Sequence, residues 1–161
     1  MIRVMLLAVC ITGCRTADLE SRWRPLRKVV ESPLQKEDML TTLGSRLIIN
    51  NLDTWNKNSP KGSIRREANL IHERTHSLRQ KELGILTYIL RYLVDKKFRW
   101  EEEKLANYYE LSYYRSKGYS RKNLLERADL LSGPEYGYMV SKEEALTFLN
   151  KVWNGTWSPD D

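Results

Sequence analysis

The chain holds two histidines, and both fall in one pentapeptide, His72-Glu73-Arg74-Thr75-His76. Side chains four residues apart on a helix lie one turn apart on the same face. Both imidazoles can therefore reach a single ion while Glu73 stands beside the ion's open position. This is the layout of a zinc site with a built-in base. The alternative reading is a pair of solvated histidines on a charged helix face.

Such a site needs a helix to carry it, and residues 63 to 83 read as one. Ile64, Ala68, Ile71, Thr75 and Leu78 recur at three- and four-residue spacing, the pattern of a buried stripe, and Gly84 marks the stop. Arg46 to Asn50 is a short aliphatic run between turn-forming residues and reads as a strand, with a loop from 51 to 62 leading into the motif helix. Ahead of it, Ser32-Pro33-Leu34-Gln35 has the form of an N-cap, a first-turn proline and a capping-box partner. It predicts a helix from 33 to about 43 that Gly44 ends. Downstream, helices are expected over 85 to 98, 101 to 116, 120 to 131 and, behind the capping box Ser141-Lys142-Glu143-Glu144, 142 to 153, with a Gly/Pro loop at 132 to 138. The expected fold class is α+β, mainly helical, with the motif helix packed on a small sheet and followed by a ligand helix.

A catalytic zinc ion takes three protein ligands and keeps one open position. With no third histidine and both cysteines near the N-terminus, the third ligand is expected to be a carboxylate. Glu82 sits where an extended H-E-x-x-H-x-x-G-x-x-H pattern places its last ligand, but Arg79 replaces the glycine that turns the chain there. The run Trp100-Glu101-Glu102-Glu103-Lys104-Leu105-Ala106-Asn107 offers three carboxylates on a following helix.

With this run, the chain resembles the gluzincins, zinc peptidases whose third ligand is a downstream glutamate, and in particular their minimal members. The resemblance covers roughly residues 46 to 107. In that family the ligand glutamate is followed by a small residue at the third position and a polar one at the fourth. Glu103, with Ala106 and Asn107, matches, while Glu101 and Glu102 stay open as alternatives because helix phase is uncertain from sequence.

The resemblance implies a zincin-like fold and Zn2+ held by His72, His76 and Glu103. It makes Glu73 the general base and Asn107 the group that orients His72, where aspartate is commoner. The oxyanion donor in such enzymes is a histidine or tyrosine. Tyr136 is the choice here, with Tyr138 and Tyr109 behind it. The strand at 46 to 50, taken as an edge strand, is expected to pair with an extended peptide substrate.

The N-terminus carries one positive charge, an apolar run and then small residues, the order of a secretory signal. Ile11-Thr12-Gly13-Cys14 resembles the bacterial lipobox. That implies removal of residues 1–13, lipidation of Cys14 (a diacyl group, with palmitate the expected amide) and a cell-envelope location. Arg15 is not the aspartate of inner-membrane retention, which points to the outer membrane. The expected organisation is a signal over 1–13, a lipidated cysteine and tether over 14–31, a catalytic domain over 32–154 and a tail over 155–161. The alternative for the N-terminus is a buried strand or helix with two core cysteines.

At 161 residues, the chain is long enough for a core without disulfides. Its 27 basic against 21 acidic residues leave a net charge of +6, scattered with no basic stripe, which argues against a nucleic-acid partner. The expected partners are a peptide or protein substrate and the membrane, with oligomeric state left open. The functional alternative is a non-catalytic envelope lipoprotein that binds a partner or acts structurally.

Overall fold

A computed structural model describes residues 15–36 and 39–160. The signal, the lipobox and Cys14 lie outside these residues. The described chain is mainly helical with a small mixed sheet, an α+β fold. It forms two compact units, one running to Tyr88 and the other starting at Ile89.

The N-terminal unit is built on a sheet of β1 (Thr16–Asp18), β2 (Lys28–Glu31), β3 (Thr41–Leu43) and β4 (Arg46–Ile49), in the order β1-β2-β4-β3. β2 and β4 run parallel, and the other two pairings are antiparallel. The alternation of Val29, Leu47 and Ile49 sends apolar side chains to one face. There they meet Trp23, Leu26, α1 (Leu52–Asn58) and Leu70 of α2 (Ile64–Leu83). Leu26, Val29 and Leu47 are fully buried, each worth about 1.5–3 kcal/mol against exposure.

Several expectations are corrected here. The predicted helix from 33 to 43 is a turn at Pro33-Leu34 that leads into β3. The Ser32 N–H is taken by the carbonyl of Ile49, and the Gln35 amide donates to Met39 O and Thr41 Oγ1 instead of reaching back to Ser32. Gly44, read as a helix stop, is the first residue of the two-residue β3–β4 turn at φ 58°, where only glycine is unstrained. β4 is interior, flanked by β2 and β3, so it is not an edge available to a peptide.

The loop expected at 51 to 62 contains α1, started by Asn51, whose Oδ1 accepts from the Thr54 N–H. The stretch read as a tether that becomes structured near residues 26–30 carries β2 at that end but also contributes β1, and Arg15, directly after Cys14, is already tied in. Its carbonyl accepts from the Glu31 N–H and its guanidinium grips Asp53 in two bonds of 2.8 and 2.9 Å.

The C-terminal unit comprises the last part of α3 (Ile85–Val94), then α4 (Lys96–Ser116), α5 (Leu124–Ser132) and α6 (Lys142–Asn154). Asp95 sets the α3–α4 boundary by accepting from the Phe98 N–H, several residues before the expected break. Ser141 caps α6 as expected, its Oγ accepting from the Glu144 N–H. The Glu144 carboxylate, however, accepts from Trp100 Nε1. Trp100, Leu131, Phe148 and Leu149 sit in its core. No helix among the described residues is long and apolar enough to cross a membrane.

Candidate metal centre

The motif helix forms where the spacing places it. Ser63 caps its start by accepting from the Arg66 N–H, and Gly84, at φ 83°, ends it. Of the expected stripe, α2 buries Ala68 and Thr75, and the other three only in part. Ile71 and Leu78 are only half-buried, whereas Leu70, Glu73, Ser77 and Gln80 are buried. The last three face the β3–β4 hairpin through hydrogen bonds. Ser77 Oγ donates to Gly44 O, the Gly44 N–H donates to Gln80 Oε1 at 2.7 Å, and Gln80 Nε2 donates to Thr42 O at 2.9 Å. This polar seam holds α2 in one rotation about its axis, and that rotation aims His72 and His76.

The two imidazoles present Nε2 atoms 3.1 Å apart, with the rings at 70°. Two nitrogens about 2.0–2.1 Å from one tetrahedral ion stand roughly 3.3 Å apart, so the pair is already near ligating geometry. His76 is buried, and its Nδ1 is 2.9 Å from the hydroxyl of Tyr88, itself 3 % exposed. If Nε2 keeps its lone pair for an ion, Nδ1 carries the proton and donates it to Tyr88. Glu73, also buried, accepts from Thr42 Oγ1 at 2.5 Å through Oε2.

The carboxylates at 101 to 103 separate by helix phase. Glu101 is exposed and pairs with Lys104 at 2.7 Å, whereas Glu102 and Glu103 are buried. Glu103, 1 % exposed, accepts from the Tyr92 hydroxyl through Oε1 at 2.6 Å. One turn further, Asn107 donates to the Glu103 carbonyl and accepts from Arg127 through Oδ1. Arg127 also forms a two-point pair with Glu110. Burial works against the Arg127 charge, but Glu110 outweighs it and holds the guanidinium above its usual range.

His72, His76 and Glu103 form a group that could hold a metal ion. Its donors, two imidazoles and a carboxylate, suit a divalent ion of intermediate softness.

Tyr136 stands in a 3-10 turn, Pro134–Tyr136, partly buried against the C-terminal core, with its carbonyl accepting from Arg99. Tyr138 and Tyr109 are exposed. Sequence reasoning missed Thr42, Tyr88 and Tyr92. Tyr88 and Tyr92 are four residues apart directly after the motif helix, a spacing that could have marked them. No comparable signal marks Thr42.

Comparison with models of known protein families, with curated proteins and with solved structures gave no match.

Proposed function

We propose that the chain is a zinc-dependent metallopeptidase of zincin-like build, with His72, His76 and Glu103 holding Zn2+ and Glu73 as general base. The observation that carries the reading is the His72, His76 and Glu103 group with Glu73 inside the same motif. Two histidines and a glutamate are a known catalytic zinc set, so the donors fit that ion. Bound zinc would acidify a water and polarise the scissile carbonyl.

The remaining chemistry belongs to this chain's own side chains. Thr42 occupies Oε2 of Glu73 and fixes the carboxylate plane, leaving Oε1 to take the proton of the attacking water and deliver it to the leaving amine. Tyr88 orients His76, and Tyr92 orients Glu103. Since β4 is interior, the edge proposed to pair with an extended peptide is β3, the strand that carries Thr42.

The lipobox resemblance supports a membrane-anchored form. Because Arg15 is bonded to Glu31 and Asp53, lipidation at Cys14 would set this fold directly against the bilayer with no spacer.

The test is zinc per chain by elemental analysis, together with cleavage of a pool of unstructured peptides. Near-stoichiometric zinc is expected in the wild type, in Glu101→Ala and in Glu73→Gln, with loss in His76→Ala and Glu103→Ala. Cleavage should vanish in Glu73→Gln while zinc stays. Wild-type protein without zinc after metal-replete purification would end the metallopeptidase reading. Zinc without cleavage would favour a non-catalytic binding lipoprotein.

A further inference from the structure

α3 carries a row of apolar residues on the side away from its buried tyrosine. Leu86, Leu90 and Val94 recur every four residues, so they form one stripe roughly 12 Å long at about 1.5 Å of rise per residue. They are 77 %, 63 % and 81 % exposed, and the preceding Ile85 is 43 % exposed, whereas Tyr88 is 3 % exposed. Of the seven exposed Leu, Ile and Val side chains among the described residues, four lie on this one helix. Single exposed leucines are ordinary on a protein surface, but a contiguous row marks a contact surface.

The chemistry of the stripe and its flanks says what covers it. Leu and Val offer no hydrogen-bonding group, and they are under-represented among the anchors of protein interfaces, which favour Trp, Tyr and Arg. Hydrocarbon asks for nothing more. The residues around the stripe are mainly basic: between positions 79 and 97, Arg79, Lys81, Arg91, Lys96 and Lys97 stand against Glu82 and Asp95. Both carboxylates have partners, Glu82 with Arg79 at 2.6 Å and Asp95 with the Phe98 N–H, while Lys81, Arg91, Lys96 and Lys97 are exposed. This excess attracts an anionic surface and, with the chain's net +6, repels a second copy. An apolar stripe with basic residues beside it is the build of a helix that lies in the surface of an anionic bilayer.

We propose that α3 docks on an anionic lipid bilayer, with Leu86, Leu90 and Val94 in the outer acyl layer and the basic residues at either end of the helix on the headgroup phosphates. The contact is made by the folded chain, and it depends neither on lipidation of Cys14 nor on the metallopeptidase reading. Tyr88, on the opposite side of the helix, keeps its bond to His76 when the stripe is covered.

The test uses the full chain carrying Cys10→Ser, Cys14→Ser and Leu90→Cys, labelled at position 90 with an environment-sensitive fluorophore. Lys57→Cys, exposed on α1, is the control position. The probes are vesicles of phosphatidylcholine alone and of phosphatidylcholine mixed with phosphatidylglycerol. Emission from position 90 should move to the blue on the anionic vesicles and stay unchanged on the neutral ones, and the label at position 57 should not respond. Adding salt should weaken the response. Leu86→Glu, at an exposed position, should raise the lipid concentration at half-response about tenfold, the loss of one lipid-buried side chain, with unchanged far-ultraviolet circular dichroism. Position 90 reports on α3 separately from the apolar residues 1–13. Unshifted emission in protein that sediments with the vesicles therefore overturns the proposal, as does failure to sediment. An equal shift on neutral vesicles overturns the headgroup contact and the proposal with it. Blue emission without lipid that fades on dilution would place a second copy on the stripe and also overturn it.

Discussion

Thr42 on β3 donates its hydroxyl to Oε2 of Glu73 on α2 at 2.5 Å, with both side chains buried. A charge-assisted bond of this kind contributes about 1.5–3 kcal/mol. It holds one carboxylate oxygen of the proposed base and so selects the other for proton transfer. Thr42→Val keeps the shape and removes the donor. Zinc content should be unchanged while the cleavage rate falls roughly 10- to 100-fold. Single-turnover kinetics on a cleaved peptide checks this, and an unaltered rate would reduce Thr42 to a packing role.

Tyr88 bears on the ion instead of the base. Its hydroxyl faces Nδ1 of His76 at 2.9 Å, and loss of such an outer partner typically lowers metal affinity about 10- to 100-fold. Tyr88→Phe should show that loss in competition with a chromophoric chelator. The far-ultraviolet circular dichroism should match the wild type. Equal affinities would mean that His76 is oriented by the backbone of α2 alone.

In the C-terminal unit, Glu110 is buried and paired with Arg127, which also reaches Asn107. Glu110→Gln leaves the half-buried Arg127 guanidinium without its counter-charge and should cost about 1.5–3 kcal/mol in urea unfolding. The pKa of Arg127 is raised in the folded state, so the pair's contribution is complete below the ordinary arginine value and is lost only as pH rises past it. Stability should therefore show no loss traceable to this pair from neutral pH to about pH 10. A decline across that range that vanishes in Glu110→Gln would contradict the assignment.

The pair at the start of the fold has the opposite sign. Arg15 holds the Asp53 carboxyl below its usual value, first through their hydrogen bond and then through its charge. A depressed folded pKa supports the fold above the ordinary aspartate value and ceases to do so as pH falls through the lower one. Wild type and Asp53→Asn should therefore differ near neutral pH and converge in acid, below about pH 4. Both side chains are exposed, so added salt should narrow the difference. Thermal melts across pH at low and high salt would measure it, and a gap that widens in acid would reverse the sign.

How much was legible depended on the range of the interaction. Ser141 was readable as a cap because it bonds the N–H three residues on, and Gly84 was readable as a stop. Ser32-Pro33-Leu34-Gln35 had equally good local form, yet its Ser32 N–H goes to Ile49, a partner supplied by the sheet. The aromatic and aliphatic content of α3 was legible. In the fold it buries Tyr88 while Leu86, Leu90 and Val94 stay exposed, since periodicity locates a face but does not say what will cover it. Among the three glutamates, Glu101 and Glu103 differ by two positions of helix phase, which is enough to place one in solvent and the other among buried residues.

The sequence by itself determined the motif helix, the four-residue spacing of His72 and His76 with Glu73 between them, and the helical character of the chain around Glu103. These depend on contacts within a turn or two, which residue order dictates directly. Only the tertiary structure decided that β4 is interior and β3 an edge, that Thr42 holds Glu73, and that Tyr88 and Tyr92 stand behind His76 and Glu103. Strand order and the rotation of α2 against the hairpin are set by bonds between residues more than thirty positions apart, such as Thr42 with Glu73 and Gly44 with Gln80. Closing such long loops is repaid only when the whole unit packs, so no local pattern announces them.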